Sequence, residues 1–229
     1  MNAHERLNAA KASAREGRFA EALSEYIWFH EHALAEQPSL SGVRLSFALG
    51  YWLELAGQYP PARAALQSIR DEKTGRLKQG AEDLELFKDV TAINRELSND
   101  EATYDLFCFI NSRNPVFAAR CARVATPALV KAYDFKLARS FISDPEQAIE
   151  QLASRFNRGI ERANHSSTPE RQADLTKAEV RIYAEDVELL IRIVGGAGEW
   201  GRADALADHA IVLAGSSETQ DAVRAALSL

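Results

Sequence analysis

Apolar residues recur along this chain at helical rather than strand spacing. Leu86, Val90, Ile93 and Leu97 fall three or four positions apart, as do Val180, Tyr183, Val187, Leu190 and Val194, so each set lines one face of a helix. No segment alternates apolar and polar residues between hairpin turns, and no strand is expected. Prolines follow polar residues at Asn114-Pro115, Thr126-Pro127, Asp144-Pro145 and Thr168-Pro169. In that order the polar side chain caps a helix and the proline opens its first turn. Gln147 stands three residues after Asp144, and Glu101 three after Ser98, the spacing of a capping box. Pro60-Pro61 also suits a first turn, where a missing amide hydrogen costs no intrahelical bond.

These signals predict about twelve helices, near 2–16, 19–36, 40–56, 60–70, 81–97, 99–111, 115–124, 127–142, 145–163, 169–194, 200–214 and 217–227. The longest irregular stretches expected are 71–80 and 164–168, and neither has the Gly, Ser and Pro content of a domain linker. Short connections make sequence neighbours antiparallel hairpins.

One local pattern appears three times: a helix end, a glycine, any residue, an aromatic, then small residues opening the next helix. It reads Gly17-Arg18-Phe19-Ala20-Glu21-Ala22-Leu23, then Gly57-Gln58-Tyr59-Pro60-Pro61-Ala62-Arg63, then Gly198-Glu199-Trp200-Gly201-Arg202-Ala203-Asp204. The glycine is expected to end its helix in the left-handed conformation that a β-carbon penalises. The aromatic then closes over the turn, and the alanine lets two helices approach.

The pattern resembles the tetratricopeptide repeat, a helix–turn–helix unit of about 34 residues. Ala22 and Tyr26 match its A-x3-aromatic element and Pro38 its terminal proline. Leu49-Gly50 matches its Leu-Gly pair, and Ala62 and Ala203 its small position. Two departures stand out: Gly17 and Gly57 are 40 residues apart, and Ser46 stands where the family has a leading Trp. The resemblance implies an all-α fold, an α-α superhelix of antiparallel hairpins forming one domain over 1–229. Within it, 1–70 holds the two best-matched units, 81–165 degenerate hairpins, and 169–229 a C-terminal hairpin with a capping helix.

The family's concave groove usually holds a peptide or a partner helix. Its groove positions fall here on Leu7, Lys11, Arg44, Phe47, Tyr51 and Glu54. Phe47 and Tyr51, one turn apart, either anchor a partner or pack between helices. The carboxylate clamp of the family needs an Asn beside its Lys, which Lys11 lacks. Trp28 and Trp52 are expected in the core.

Other motifs carry less. Gly196-Ala197-Gly198-Glu199-Trp200-Gly201 has the form of a dinucleotide-binding glycine turn. Its preceding apolar run continues a helical stripe, however, and no second strand follows. The histidines His4, His30, His32, His165 and His209 lack the spacing of a zincin or di-iron motif, and His30 and His32 point apart on a helix. Cys108 and Cys121 form no CxxC pair and sit in apolar helical contexts, which suits packing in a reducing compartment. No metal, cofactor or catalytic residue is expected.

Composition then narrows the function classes. The 229 residues are 46% hydrophobic with net charge −6, enough apolar content for a sizeable core. The sequence has no membrane-length apolar run and no secretory signal, so a cytoplasmic location is expected. Charge is uneven: net −5 over 1–110, +5 over 111–139 and −6 over 140–229. The middle stretch carries Arg113, Arg120, Arg123, Lys131, Lys136 and Arg139. It is either an internal seam neutralising residues such as Glu101 and Asp105, or a basic surface for an acidic partner. The leading reading is a non-catalytic scaffold (adaptor, chaperone or inhibitor of the immunity type) that holds another protein or peptide. The alternatives are a nucleic-acid-binding repeat using the basic stretch, which the acidic total disfavours, and an all-α enzyme with an unrecognised site.

Overall fold

The computed structural model describes residues 1–227; the last two residues of the expected C-terminal segment, 228–229, lie outside the described residues. Among those described, all regular structure is helical, and no helix is long and apolar enough to cross a membrane. The chain divides into two compact units, Met1–Ala128 and Leu129–Leu229, with the boundary inside one helix.

The first unit holds α1 (Ala3–Arg15), α2 (Phe19–Glu36), a 3-10 turn (Pro38–Leu40), α3 (Ser41–Arg44), α4 (Phe47–Gln58), α5 (Pro60–Lys78), α6 (Leu84–Glu96), α7 (Asp100–Arg113) and most of α8 (Pro115–Lys131). A capping box starts α1, Asn2 and Glu5 exchanging bonds of 2.9 Å. It ends at Gly17, whose φ of +77° permits the paired bonds from Gly17 N to Ala14 O and from Arg18 N to Ser13 O. Successive helices then pack as hairpins, α1 on α2, α4 on α5 and α6 on α7. Equivalent residues of the first two glycine-x-aromatic segments meet against the core. The Phe19 and Tyr59 rings lie 5.9 Å apart, Tyr26 stacks on Trp52, and the Trp52 indole donates to Ala62 O. Ala22 and Ala62 are fully buried.

The second unit holds α9 (Phe135–Ser140), α10 (Pro145–Asn164), α11 (Pro169–Gly196), α12 (Trp200–Val212) and α13 (Ser217–Ala226). Asp144 and Thr168 cap α10 and α11 as their prolines suggest, accepting from the amides of Gln147 and Arg171. Every other helix of this unit packs on α11. Phe156 stacks on Tyr183 at 4.7 Å, and the Tyr183 hydroxyl donates to Ala210 O. Val187–Val194 is helical, and Gly198 closes α11 at φ +100°. The two glycines before it serve contact, because a β-carbon on Gly195 would meet the Trp200 ring and one on Gly196 the Phe135 ring.

Several expectations fail for identifiable reasons. The segment 40–56 is not one helix: the chain kinks at Ser46, whose hydroxyl bonds back to Gly42 O. Residues 71–78 continue α5, anchored by buried Leu77, instead of forming a loop. Pro127 does not open a helix but lies inside α8, carried through by buried Ala128, Leu129 and Val130. The break comes later, at Tyr133, which takes a left-handed φ of 57° and divides the expected 127–142 helix. Ser98 likewise turns left-handed at φ 55°, and Asn99 caps α7 in its place. Gly57 lies within α4, which ends at Tyr59 because the residue before a proline is driven to extended backbone.

Candidate functional site

The groove residues expected from the sequence separate into an exposed group and a buried one. Lys11 of α1 lies over the Tyr51 ring of α4, its ammonium 4.2 Å from the ring centre. At exposed sites such a contact is worth about 0.5–1 kcal/mol. Both side chains line a cavity of about 230 Å³ together with Arg15, Tyr26, Glu54 and Gln58. Burial, and next the Glu54 carboxylate, push the Tyr26 hydroxyl up to about 12, so it stays protonated. The cavity thus offers two cations one helical turn apart, a carboxylate opposite and two phenol groups. Phe47 is 67% exposed at the start of α4 but does not line this cavity.

Two assignments are overturned. Leu7 is core, 5% exposed. Arg44 is 3% exposed and faces inward: the kink that ends α3 turns its guanidinium into the core rather than toward a partner. There it donates to Asp89 at 2.5 Å and to His30 O at 3.1 Å, while its Nε has no partner among the described residues. Lys73 completes the cluster, bonding Asp89 and approaching His30 Nε2 at 3.2 Å.

The chemistry of this cluster follows from its donors. Lys73 has only hydrogens to offer, so His30 Nε2 accepts and the ring proton resides on Nδ1, which is buried without a partner. Burial, reinforced by the Lys73 charge, pushes His30 down to about 3. Burial alone would raise Asp89, but hydrogen bonds from Arg44 and Lys73 outweigh it and hold the carboxyl below its ordinary range. Four elements, α2, α3, α5 and α6, are tied together here. Arg15, Asp89 and Lys73 escaped the sequence reading, which placed Tyr26 only in the repeat motif. Only Arg15 had a local signal, standing four residues after Lys11.

Trp52 is core as expected, whereas Trp28 is half-buried, with the Arg6 guanidinium 4.0 Å from its ring centre. His30 is buried and His32 exposed, so the two do not converge. Among the described residues no three His, Cys, Asp or Glu side chains gather as a metal site would require. Neither Cys108 nor Cys121 forms a disulfide, and burial pushes the Cys121 thiol up to about 11.

In the basic stretch, Arg113, Arg120, Arg123, Lys131 and Lys136 are exposed. Arg113 and Arg120 lie over the rings of Phe109 and Phe117. The first three form no ion pair with Glu101 or Asp105 among the described residues. Arg139 joins a seam, pairing with Glu199 at 2.7 Å. No protein-family model, no curated protein and no solved structure matches the chain.

Proposed function

We propose that the chain is a non-catalytic binding scaffold, built from hairpins similar to tetratricopeptide repeats, that holds a segment of another protein against the first unit. The observation that carries this reading is the shared cavity of α1, α2 and α4, where Lys11, Arg15, Tyr51 and Glu54 surround one concavity. An acidic group of the partner seats between Lys11 and Arg15, the Tyr51 ring supplies apolar contact, and Glu54 sets the register by repelling a second anion. Phe47, exposed one turn before Tyr51, extends the contact. Two cysteines outside any disulfide fit a reducing, cytoplasmic setting.

A second reading, nucleic-acid binding, draws support from the exposure of Arg113, Arg120 and Arg123, against a net charge of −6. One experiment separates the two. Lysate capture is compared for the wild type, Tyr51→Ala, Lys11→Glu and Arg120→Glu/Arg123→Glu, with circular dichroism melting as the fold control. The scaffold reading expects the first two variants to weaken retention of the captured protein by about tenfold or more, with melting unchanged. Retention unaffected by either variant defeats it. Loss confined to the arginine variant, with nucleic acid eluting at raised salt, favours the second reading.

A further inference from the structure

Helix α11 leaves one long face open. Along it runs a groove of about 630 Å³ walled by Asp174, Lys177, Arg181, Glu185 and Glu188, with Ala178, Ala184 and Ala226 at its floor. Exposed Arg192 continues this wall along the same helix face. The acids on the flank facing α10 are already engaged, Asp186 with Arg155 and Glu179 with Arg162. Asp174, Lys177, Arg181, Glu185 and Arg192 enter no ion pair among the described residues.

The order of charge along this face is what identifies an occupant. From Asp174 to Arg192 the signs run minus, plus, plus, minus, minus, plus. Read in the opposite direction, every sign is inverted. A helix laid antiparallel on this face with its centre level with residue 183 therefore puts Asp174 against Arg192, Lys177 against Glu188 and Arg181 against Glu185. Each pair occurs twice, because a two-fold contact is its own complement. A parallel copy in register would place like charges together.

We infer that this face of α11 binds a second copy of the chain, antiparallel across a two-fold axis. The alanines on the groove floor supply the apolar contact, and the six charges fix direction and register. The surface lies in the second unit and does not depend on the cavity of the first.

Sedimentation of the full chain at low salt tests this with two charge-swapped variants, Lys177→Glu/Arg181→Glu and Glu185→Lys/Glu188→Lys. The wild type is expected to form a dimer that weakens as salt is raised. Each variant alone repels itself, losing about tenfold or more in self-affinity, and an equimolar mixture of the two recovers the dimer. Circular dichroism establishes that both variants fold. A wild type that stays monomeric overturns the inference without reference to any variant. So does a dimer indifferent to both swaps, or folded variants that fail to associate on mixing.

Discussion

In the first unit, Arg44, Lys73 and His30 converge from three helices on Asp89 of a fourth, inside the core. The densest ionic cluster of the second unit, Arg139–Glu199–Arg202–Glu146, instead lies where water reaches it, with Arg202 bonded to Glu146 at 2.5 Å and to Glu199 at 3.0 Å. Both clusters tie separate helices together, yet their energetics differ. Water screens the second, and each partner is well solvated when its mate is removed. The first has no such refuge, so its worth lies in the penalty for leaving a buried charge alone. Ion-pair geometry by itself does not distinguish them; burial does.

The sharpest way to break this contrast is Asp89→Ala, which strands Arg44 and Lys73. It is expected to cost about 3–5 kcal/mol in urea unfolding. A loss under about 1 kcal/mol would mean that water enters the cluster. A smaller effect comes from pH. His30 titrates near 3 when folded and at its ordinary value near 6.5 when unfolded, so below 6.5 the unfolded chain binds a proton that the folded chain refuses. Its contribution is therefore complete above pH 6.5 and disappears progressively as pH falls toward 3, with a slope of up to about 1.4 kcal/mol per pH unit. Asp89, held low when folded, acts in the same direction at the acid end of that window. Stability curves between pH 7 and 4 should be flatter for His30→Gln than for the wild type; parallel curves would assign the acid loss elsewhere. The smallest effect belongs to Arg202→Ala, which should leave the melting temperature within experimental scatter in moderate salt. A clear drop there would show that the second cluster behaves like the first.

What the sequence disclosed tracks how local each cause is. Asp144 with Gln147, Thr168 with Pro169, and the glycines at 17 and 198 act over a few residues, and each is found where expected. The all-helical class follows from stripes such as Val180–Val194 that lie within one element. Pro127 misled because its local meaning, a helix start, is overridden by the buried residues that follow it. Tyr133 and Ser98 end helices in a conformation that their side chains disfavour, so neither carries a signal. Arg44 and Asp89 stand 45 positions apart and become partners only through packing. The cavity was half legible: Lys11, Tyr51 and Glu54 share it, while Tyr26 reaches it from a different helix.

The aromatic seam between Phe19 and Tyr59 bears on the order in which the chain emerges from the ribosome. Phe19 leaves the exit tunnel some forty residues before its ring partner, and Tyr26 well ahead of the Trp52 on which it stacks. The α1–α2 hairpin is thus synthesised with its inner face uncovered and must wait for α4 and α5 before that face is dry. A nascent chain stalled short of residue 59 would present Ala22, Tyr26 and Phe29 to whatever chaperone stands nearest.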